Sequence, residues 1–251
     1  MKIVFIGSGN VATHLAKALF ATGHMIMQVF SRSGENATLL ANEVGAGAVD
    51  GYHLINTEAD LYLFCVKDDA LQEVILQMPQ TTGIWAHTAG SIPMSFFSSR
   101  KEEYGVIYPL QTFSKDRALV FTDIPLFIEG STPATIQFLE NMARSISREV
   151  HILPGEKRRY LHLAAVFACN FVNHMYHLSS EILLKEDIPF SLLRPLIEET
   201  AAKVMEMNPG EAQTGPAVRN DEEVMHNHLM LIADQRIKEV YTLISRSIQS
   251  P

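Results

Sequence analysis

A turn near the N-terminus has the residue types and spacing of a pyrophosphate-binding site. The segment Gly7–Ala12 has the pattern GxGxxA and directly follows the apolar run Lys2–Ile6. In this pattern the first glycine permits a tight turn, the second lets the backbone approach the phosphates, and a small third residue lets a helix pack closely on a strand. Unpaired N–H groups at the start of that helix then face the phosphates. The residues expected to contact a dinucleotide here are Gly7, Ser8, Gly9, Asn10 and Val11.

The residues after the second strand-like run indicate which dinucleotide is bound. An acidic residue about twenty positions beyond the glycines would hold the ribose 2′-hydroxyl of NAD. This sequence has Ser31, Arg32 and Ser33 there instead. A carboxylate would repel a 2′-phosphate, whereas an arginine can pair with it through two hydrogen bonds and a serine can donate another. The sequence therefore predicts NADP(H), the alternative being that Arg32 is a solvated surface residue.

Polar residues follow two further strand-like runs, where loops line the cofactor crevice of such folds. The first set is Val66-Lys67-Asp68 and the second is His87-Thr88-Ala89-Gly90-Ser91. The residues expected near the cofactor are Val66, Lys67, His87 and Thr88, with Ser91 at the substrate. Two structural alternatives stay open: Asp68 is equally suited to cap its own helix, and residues 87–91 could form a turn without a ligand.

These candidates require a sheet that brings the ends of several strands to one edge. The first 154 residues alternate strand-like and helix-like segments, a pattern that predicts parallel strands joined by crossover helices. The predicted strands are 2–6, 24–30, 61–66, 83–86, 106–108, 125–128 and 149–153. The predicted helices between them are 10–20, 35–44, 68–78 and 134–146.

The pattern changes after Pro154-Gly155, beyond which long helical segments are predicted at 156–186, 189–207 and 221–248. The sequence thus predicts an α/β fold, with an N-terminal Rossmann dinucleotide-binding domain at 1–154 and an all-helical C-terminal domain at 155–251.

The first predicted helix of the second domain carries polar residues on an otherwise apolar surface. At about 100° per residue, His162, Asn170, Asn173 and His177 fall on one face. Buried polar groups need hydrogen-bond partners, so this face predicts either a network between helices or a ligand. In the second case His162 and Asn170 face the reactive end of the cofactor, and His162 is the proton donor because histidine ordinarily titrates near neutral pH. Asn173 would then contact the substrate.

Two further groups of polar residues lie in the helical part. Arg219 could bind a carboxylate or phosphate of a substrate, and Asp221 is well placed to cap the last predicted helix. His174, His177 and Glu181 lack a fourth ligand and a recognisable motif, so we predict no metal site.

Composition and charge exclude several classes of protein. A formal net charge of −8 gives no electrostatic reason to expect nucleic acid or an anionic membrane. No segment has the roughly 18 uncharged apolar residues of a membrane-spanning helix, and Gly7 ends the first apolar run too early for a signal peptide. We expect a cytoplasmic protein.

Motifs along the whole chain resemble one family. Besides Gly7–Ala12 and Ser31-Arg32, they are 87–91 (HTAGS), 108–113 (YPLQTF), 162–170 (HLAAVFACN) and 214–221 (TGPAVRND). The chain resembles the Rossmann-like proteins with a C-terminal DUF2520 domain, which are described as NADP oxidoreductases. These are related to the pyrroline-5-carboxylate reductase and 6-phosphogluconate dehydrogenase group. The match departs at Asn220, where the family pattern usually has glycine.

The resemblance implies an NADP-binding domain and an all-helical domain for dimerisation and substrate binding. Related hydroxyacid dehydrogenases carry a lysine three or four residues before an asparagine of the comparable helix. The matching positions here hold Phe167 and Val166 before Asn170, and Asn170 and Cys169 before Asn173. The absence of that lysine disfavours hydroxyacid oxidation by the usual route.

We therefore expect a homodimeric NADP(H)-dependent oxidoreductase that transfers hydride to or from a carbonyl or imine carbon. The substrate would be a small polar metabolite that the sequence does not identify. The alternative is a non-catalytic NADP(H)-binding sensor or scaffold. The absence of the catalytic lysine supports this alternative.

Overall fold

The computed structural model describes residues 1–250, which form two compact units. One unit comprises Met1–Cys169 and the other the described residues from Asn170 onward. The sequence placed the domain boundary at 154/155, where strands give way to helices, whereas the contacts group the helix Gly155–Ala165 with the first unit. The reason is that this helix carries Arg158, whose side chain is fully buried there.

The first unit is built on an eight-stranded sheet with the order β3-β2-β1-β4-β5-β6-β7-β8. Neighbouring strands are parallel except β6 and β7, which are antiparallel. The strands are β1 (Lys2–Ile6), β2 (Met25–Phe30), β3 (Gly47–Val49), β4 (Leu61–Phe64), β5 (Ile84–His87), β6 (Tyr104–Pro109), β7 (Leu126–Gly130) and β8 (Val150–Ile152). The chain moves outward from β1 to β3 and then returns to β4 on the other side of β1. Ligands of open α/β sheets bind at such a switch, outside the carboxyl ends of the strands.

Helices cover both faces of this sheet. They are α1 (Asn10–Ala21), α2 (Gly34–Glu43), α3 (Asp68–Gln77) and α4 (Pro133–Arg144). Side chains of β1 alternate between two buried clusters, with Ile3 and Phe5 in one and Val4 and Ile6 in the other. Burial on both faces explains why the central strands read as unbroken apolar runs. The predicted α/β fold, a Rossmann-like sheet followed by helices, is confirmed.

The long helices of the C-terminal part differ from the prediction. The segment predicted as one α-helix at 156–186 consists of α5 (Gly155–Ala165), a π-helical segment (Val166–Phe171) and α6 (Val172–Leu184). The prediction of one continuous α-helix is therefore wrong. A π-helical segment has more residues per turn than an α-helix, so the constant rotation that placed His162 and Asn170 on one face does not apply.

Two further boundaries were missed. The helix predicted at 221–248 is divided into α9 (Glu222–Leu231) and α10 (Gln235–Gln249). Asp234 accepts hydrogen bonds from the N–H groups of Arg236 and Ile237 and so starts a new helix. The short edge strand β3 was not predicted, since three small or flexible residues give no period-2 pattern long enough to recognise.

The second unit consists of helices with few buried side chains. After α6 these are α7 (Arg194–Glu206), α8 (Pro209–Ala212), α9 (Glu222–Leu231) and α10 (Gln235–Gln249). Among its described residues the buried hydrophobic side chains are Leu178, Ala217 and Ile237. Many apolar side chains of the same unit are exposed, including Leu184, Leu192, Leu196, Met205 and Leu243. The unit therefore leaves an extensive apolar surface uncovered within the chain.

Within residues 1–250, no helix combines the length and the apolar character that crossing a bilayer requires.

Candidate functional site

The glycine turn after β1 has the geometry of a phosphate-binding turn. Gly7 has φ 114°, and a Cβ atom on it would lie 2.5 Å from the Cys65 carbonyl oxygen. Any other residue would combine a disfavoured backbone conformation with a backbone collision. Gly9 precedes α1 in an extended conformation without a side-chain cap, and the first turn of α1 contains no acidic residue. The helix start thus offers free N–H groups and a positive dipole end, which fit the pyrophosphate of a dinucleotide.

A loop after β6 lies against the start of α1. The Asn10 side chain donates to the Phe113 carbonyl at 2.8 Å, and His14 Nε2 lies 2.8 Å from the Ser114 carbonyl. The rings of His14 and Phe113 are 5.2 Å apart. One N–H of the Asn10 side chain is thus used to hold this loop.

The residues predicted at the 2′-phosphate lie together at the end of β2. Ser33 caps α2 by accepting from the Asn36 N–H, and its own N–H donates to Ser31 Oγ at 3.3 Å. Arg32 Nη1 is 4.0 Å from Glu73 Oε2, and the two side chains are 67% and 60% exposed. An exposed ion pair at this distance contributes little free energy. Glu73 therefore competes only weakly with an anion for Arg32.

Tyr52 is a neighbour of Arg32 that the sequence did not point to. Its ring packs on Phe30 with centroids 4.6 Å apart, and its hydroxyl is buried without a hydrogen-bond partner among the described residues. Burial raises the pKa of Tyr52, the Glu73 carboxylate raises it further, and the Arg32 cation opposes both. An unpaired buried hydroxyl beside Arg32 is a donor that a ligand could use.

The loops after β4 and β5 are joined by side chains. The Ser91 hydroxyl donates to the Asp68 carboxylate, and the Thr88 N–H donates to the Phe64 carbonyl at 3.2 Å. Asp68 is the first residue of α3, where Lys67 takes the cap position without a side-chain bond, so Asp68 connects two loops rather than capping its helix. Val66 is half-buried and Lys67 exposed. The structure thus brings the predicted residues of these two loops to one edge of the sheet.

His87 lies at this edge with its ring in the core. The side chain is fully buried, its Nδ1 accepts from the Ala89 N–H at 3.2 Å, and the ring lies 5.7 Å from that of Phe97. Burial, aided by the Arg158 cation and opposed by the Pro93 carbonyl, lowers the pKa of His87 to about 3. At neutral pH the ring is therefore uncharged and cannot serve as a proton donor of ordinary strength. The predicted contact of His87 with a cofactor would therefore be made by its backbone atoms.

A buried arginine, which sequence reasoning missed, holds the loop after β5. Arg158 Nη1 donates to the carbonyl oxygens of Ala89, Gly90 and Ile92 at 2.6, 3.1 and 3.0 Å. Its Nη2 donates to the Glu129 carboxylate at 3.0 Å. The side chain joins α5, β7 and the 89–92 loop. It lies in a run Lys157-Arg158-Arg159 that reads as a solvated helix face, so no local signal distinguishes it.

His162 is placed beside Tyr108, a second residue absent from the predicted site. Tyr108 Oη lies 2.9 Å from His162 Nδ1, and the two rings meet edge to face at 5.7 Å. Tyr108 is 7% exposed, and burial raises its pKa while Arg158 opposes the rise and Cys169 adds to it. Gly90 packs directly on the His162 ring, since a Cβ atom on Gly90 would lie 2.5 Å from His162 Nδ1. Tyr108 is the first residue of the motif at 108–113, and that motif was the sequence signal that could have pointed to it.

The remaining predicted residues belong to the second unit. Asn170, Asn173 and Arg219 are exposed there, and their roles stay predictions. Asp221 caps α9 by accepting from the Val224 N–H at 3.3 Å, as one interpretation of the sequence held. Asn220 has φ 53°, a left-handed conformation that glycine adopts freely and asparagine tolerates. This explains how asparagine can stand where the family pattern has glycine.

We expect Arg158→Met to lower the free energy of unfolding by about 3–5 kcal/mol, because it leaves Glu129 and three carbonyl groups without their partner. Urea denaturation followed by circular dichroism measures this. The matched control is Arg159→Met on the exposed neighbour, which should change stability by no more than about 0.5 kcal/mol. Equal effects of the two substitutions would show that the buried cation does not hold the loop.

Comparisons with known proteins place the chain in a family of NADP oxidoreductases. Residues 2–84 match the family described as NADP oxidoreductase, coenzyme F420-dependent, and residues 124–248 match the domain of unknown function DUF2520. No curated protein sequence shows a significant match.

Solved structures give similarity over the whole chain. A Bacteroides fragilis protein named provisionally as an NADP oxidoreductase is 46% identical, with 100% of this chain and 98% of that chain covered and a TM-score of 0.93. An Aspergillus terreus reductive aminase, crystallised with NADPH and ethyl levulinate, is 15% identical with coverages of 99% and 93% and a TM-score of 0.74. A Streptococcus pyogenes pyrroline-5-carboxylate reductase is 13% identical with coverages of 100% and 99% and a TM-score of 0.64. The last two show similarity of fold alone. The two family matches and the similarity to the Bacteroides fragilis protein confirm the predicted resemblance and its cofactor class, NADP(H).

Proposed function

Because the chain belongs to the family of NADP oxidoreductases with a C-terminal DUF2520 domain, we propose that it binds NADP(H) on its first unit and reduces or oxidises a small polar metabolite. The bound cofactor would supply or accept hydride at a carbonyl or imine carbon. The observation that carries the proposal is the turn at Gly7 and Gly9, which only glycine fits at position 7, which leaves the start of α1 uncapped, and which lies at the switch between β1 and β4.

Three groups of residues in this chain would each hold a different part of the cofactor. Backbone N–H groups at the start of α1 would hold the pyrophosphate. Arg32, with Ser31 and Ser33 beside it, would hold the 2′-phosphate in place of its weak contact with Glu73. The loops containing Val66, Lys67, His87 and Thr88 would line the nicotinamide end.

The substrate would lie where the loops after β4, β5 and β6 meet. Ser91 is exposed there and linked to Asp68, and His162 is half-buried with its Nδ1 engaged by Tyr108. His162 Nε2 makes no hydrogen bond to any described residue. It would therefore be the nitrogen that exchanges a proton with the substrate. Asn170 is proposed as a second catalytic residue, and Asn173 and Arg219 as substrate contacts.

We expect Arg32→Ala to weaken NADPH binding at least tenfold while changing NADH binding less than twofold, because only NADPH carries the 2′-phosphate. A fluorescence titration of each nucleotide measures both affinities. Lys17→Ala, which removes an exposed base elsewhere on the same unit, is the control and should affect neither. If the unaltered protein bound neither nucleotide at millimolar concentration, the cofactor assignment would be wrong.

We expect the protein to oxidise NADPH in the presence of at least one member of a panel of small ketones, aldehydes, oxo acids and cyclic imines. His162→Ala should lower the turnover at least tenfold and leave the NADPH affinity unchanged, because the group acts on the substrate rather than on the cofactor. Absorbance of NADPH gives the rate. Tight NADPH binding without turnover on any panel member would instead favour a sensor or scaffold.

The uncovered helices of the second unit support a homodimer. Only Leu178, Ala217 and Ile237 are buried hydrophobic residues among its described positions, which is too small a core for a helical unit of this length. Exposed apolar residues on α6 and α7 would be covered by the same surface of a second copy, as in obligate homodimers. We propose that the chain pairs through this unit.

We expect a solution mass of twice 28.0 kDa, measured by light scattering during gel filtration. Leu196→Glu should shift the equilibrium toward monomer, since it places a charge on the apolar surface of α7. Glu199→Gln on the same helix is the control and should leave the dimer intact. A monomeric mass for the unaltered chain at about 50 μM, well above the dissociation constant of a stable dimer, would contradict the proposal.

A further inference from the structure

The contact between Tyr108 and His162 sets which ring nitrogen of the histidine carries the proton. Burial raises the pKa of Tyr108, so its phenol keeps its proton at neutral pH and can donate it in a hydrogen bond. We infer that the phenol donates to His162 Nδ1, 2.9 Å away, rather than accepting from it. A neutral imidazole that accepts at one nitrogen carries its proton on the other. His162 therefore presents Nε2–H away from Tyr108.

The loop after β5 fixes the orientation of the histidine ring from a second side. A Cβ atom on Gly90 would lie 2.5 Å from Nδ1 and 2.6 Å from Cγ of His162. The Gly90 carbonyl is in turn held by buried Arg158. The ring is thus confined between Tyr108 and a loop that the protein has anchored, which is the preorganisation that proton transfer to a bound substrate needs.

Arg158 also makes loss of the phenol proton less costly. Its cation opposes the rise that burial causes in the pKa of Tyr108. Burial still dominates and keeps the pKa of Tyr108 raised, but the arginine reduces that cost, and the arginine itself cannot be deprotonated. His87, the other histidine of this region, stays neutral and turned into the core, so it does not compete for the role.

Tyr108 and His162 lie near the edge of the sheet where the reactive end of the cofactor would bind. Tyr108 is in the last part of β6, and Gly90 is in the loop after β5, so both lie at the carboxyl edge where ligands of this fold bind. This step of the argument rests on the function proposed above.

We propose that Tyr108 and His162 form a proton relay, and that the substrate class of this site is a carbonyl compound. His162 Nε2–H gives its proton to the carbonyl oxygen as the carbonyl carbon gains hydride, and His162 Nδ1 takes the proton of Tyr108 Oη. The phenolate then recovers a proton from solvent. In balance, the carbonyl is reduced to an alcohol, NADPH is oxidised to NADP⁺, and one proton is consumed. His162 is the catalytic residue, and Tyr108 acts through it.

The requirement for a proton separates carbonyl compounds from iminium ions, whereas a neutral imine needs a proton as a carbonyl compound does. Hydride addition to a carbonyl leaves negative charge on oxygen, and a donor must neutralise it in the same step. Hydride addition to an iminium ion gives a neutral amine, which needs no proton from the protein. A buried relay that delivers a proton therefore suits the first reaction.

The first test needs neither cofactor nor substrate. Nitrogen NMR of histidine-labelled protein at about pH 8, where histidine is ordinarily neutral, reports which nitrogen of His162 carries the proton, with His162→Gln identifying the signal. We expect Nε2–H in the unaltered protein. Tyr108→Phe should bring the two nitrogen shifts closer together, and Gly90→Ala should do the same by displacing the ring. Tyr104→Phe on the same strand should change nothing. Unchanged shifts in Tyr108→Phe would overturn the proposal.

The second test compares two substrates. With the carbonyl substrate that the panel above identifies, Tyr108→Phe should lower kcat at least tenfold while KM and NADPH affinity change less than threefold. With a preformed cyclic N-alkyl iminium ion, which needs no proton, kcat should change less than threefold. Equal losses for both substrates, or equal losses in Tyr104→Phe, would assign Tyr108 a structural role and overturn the relay. If NADPH did not bind, the proposed function would fail, whereas the NMR result would still decide whether Tyr108 sets the proton position.

Discussion

The buried guanidinium of Arg158 is the interaction on which the arrangement around the candidate site depends. Guanidinium groups offer five N–H donors in a fixed plane, and here four hydrogen bonds from Nη1 and Nη2 go to carbonyl oxygens of the 89–92 loop. A fifth reaches Glu129 on β7, which balances the charge. Because a buried cation is costly without such partners, the loop, the strand and α5 are held in one arrangement.

The same cation influences the proton states of its neighbours. It reinforces the lowering of the pKa of His87 and opposes the raising of that of Tyr108, while burial dominates in both cases. Both groups are consequently uncharged at neutral pH, with His87 accepting a backbone hydrogen bond and Tyr108 able to donate one. Of the three groups His87, Tyr108 and His162, the last is half-buried and the other two are buried, so His162 is suited to exchange a proton with a bound molecule.

Features that depend on local pattern could be predicted from the sequence by itself. The glycines of the Gly7–Ala12 turn follow from backbone sterics, because the positive φ of Gly7 and its approach to Cys65 admit no side chain. The unbroken apolar runs of β1 and β4 follow from burial on both faces of the sheet. The residues at the end of β2 indicated the cofactor class, and the change of periodicity after Pro154 indicated the helical region.

Features that depend on residues distant in the chain were decided by the tertiary structure alone. Arg158 meets Glu129 and the 89–92 loop only because the fold brings α5 beside β7 and that loop, and nothing in its own segment distinguishes it from Arg159. Tyr108 and His162 are 54 positions apart and meet at one edge for the same reason. The π-helical segment Val166–Phe171 likewise changed the helix face that regular spacing predicted. Periodicity reports which face of an element is buried, whereas the partner that a polar side chain finds there is set by the packing of elements that the sequence keeps apart.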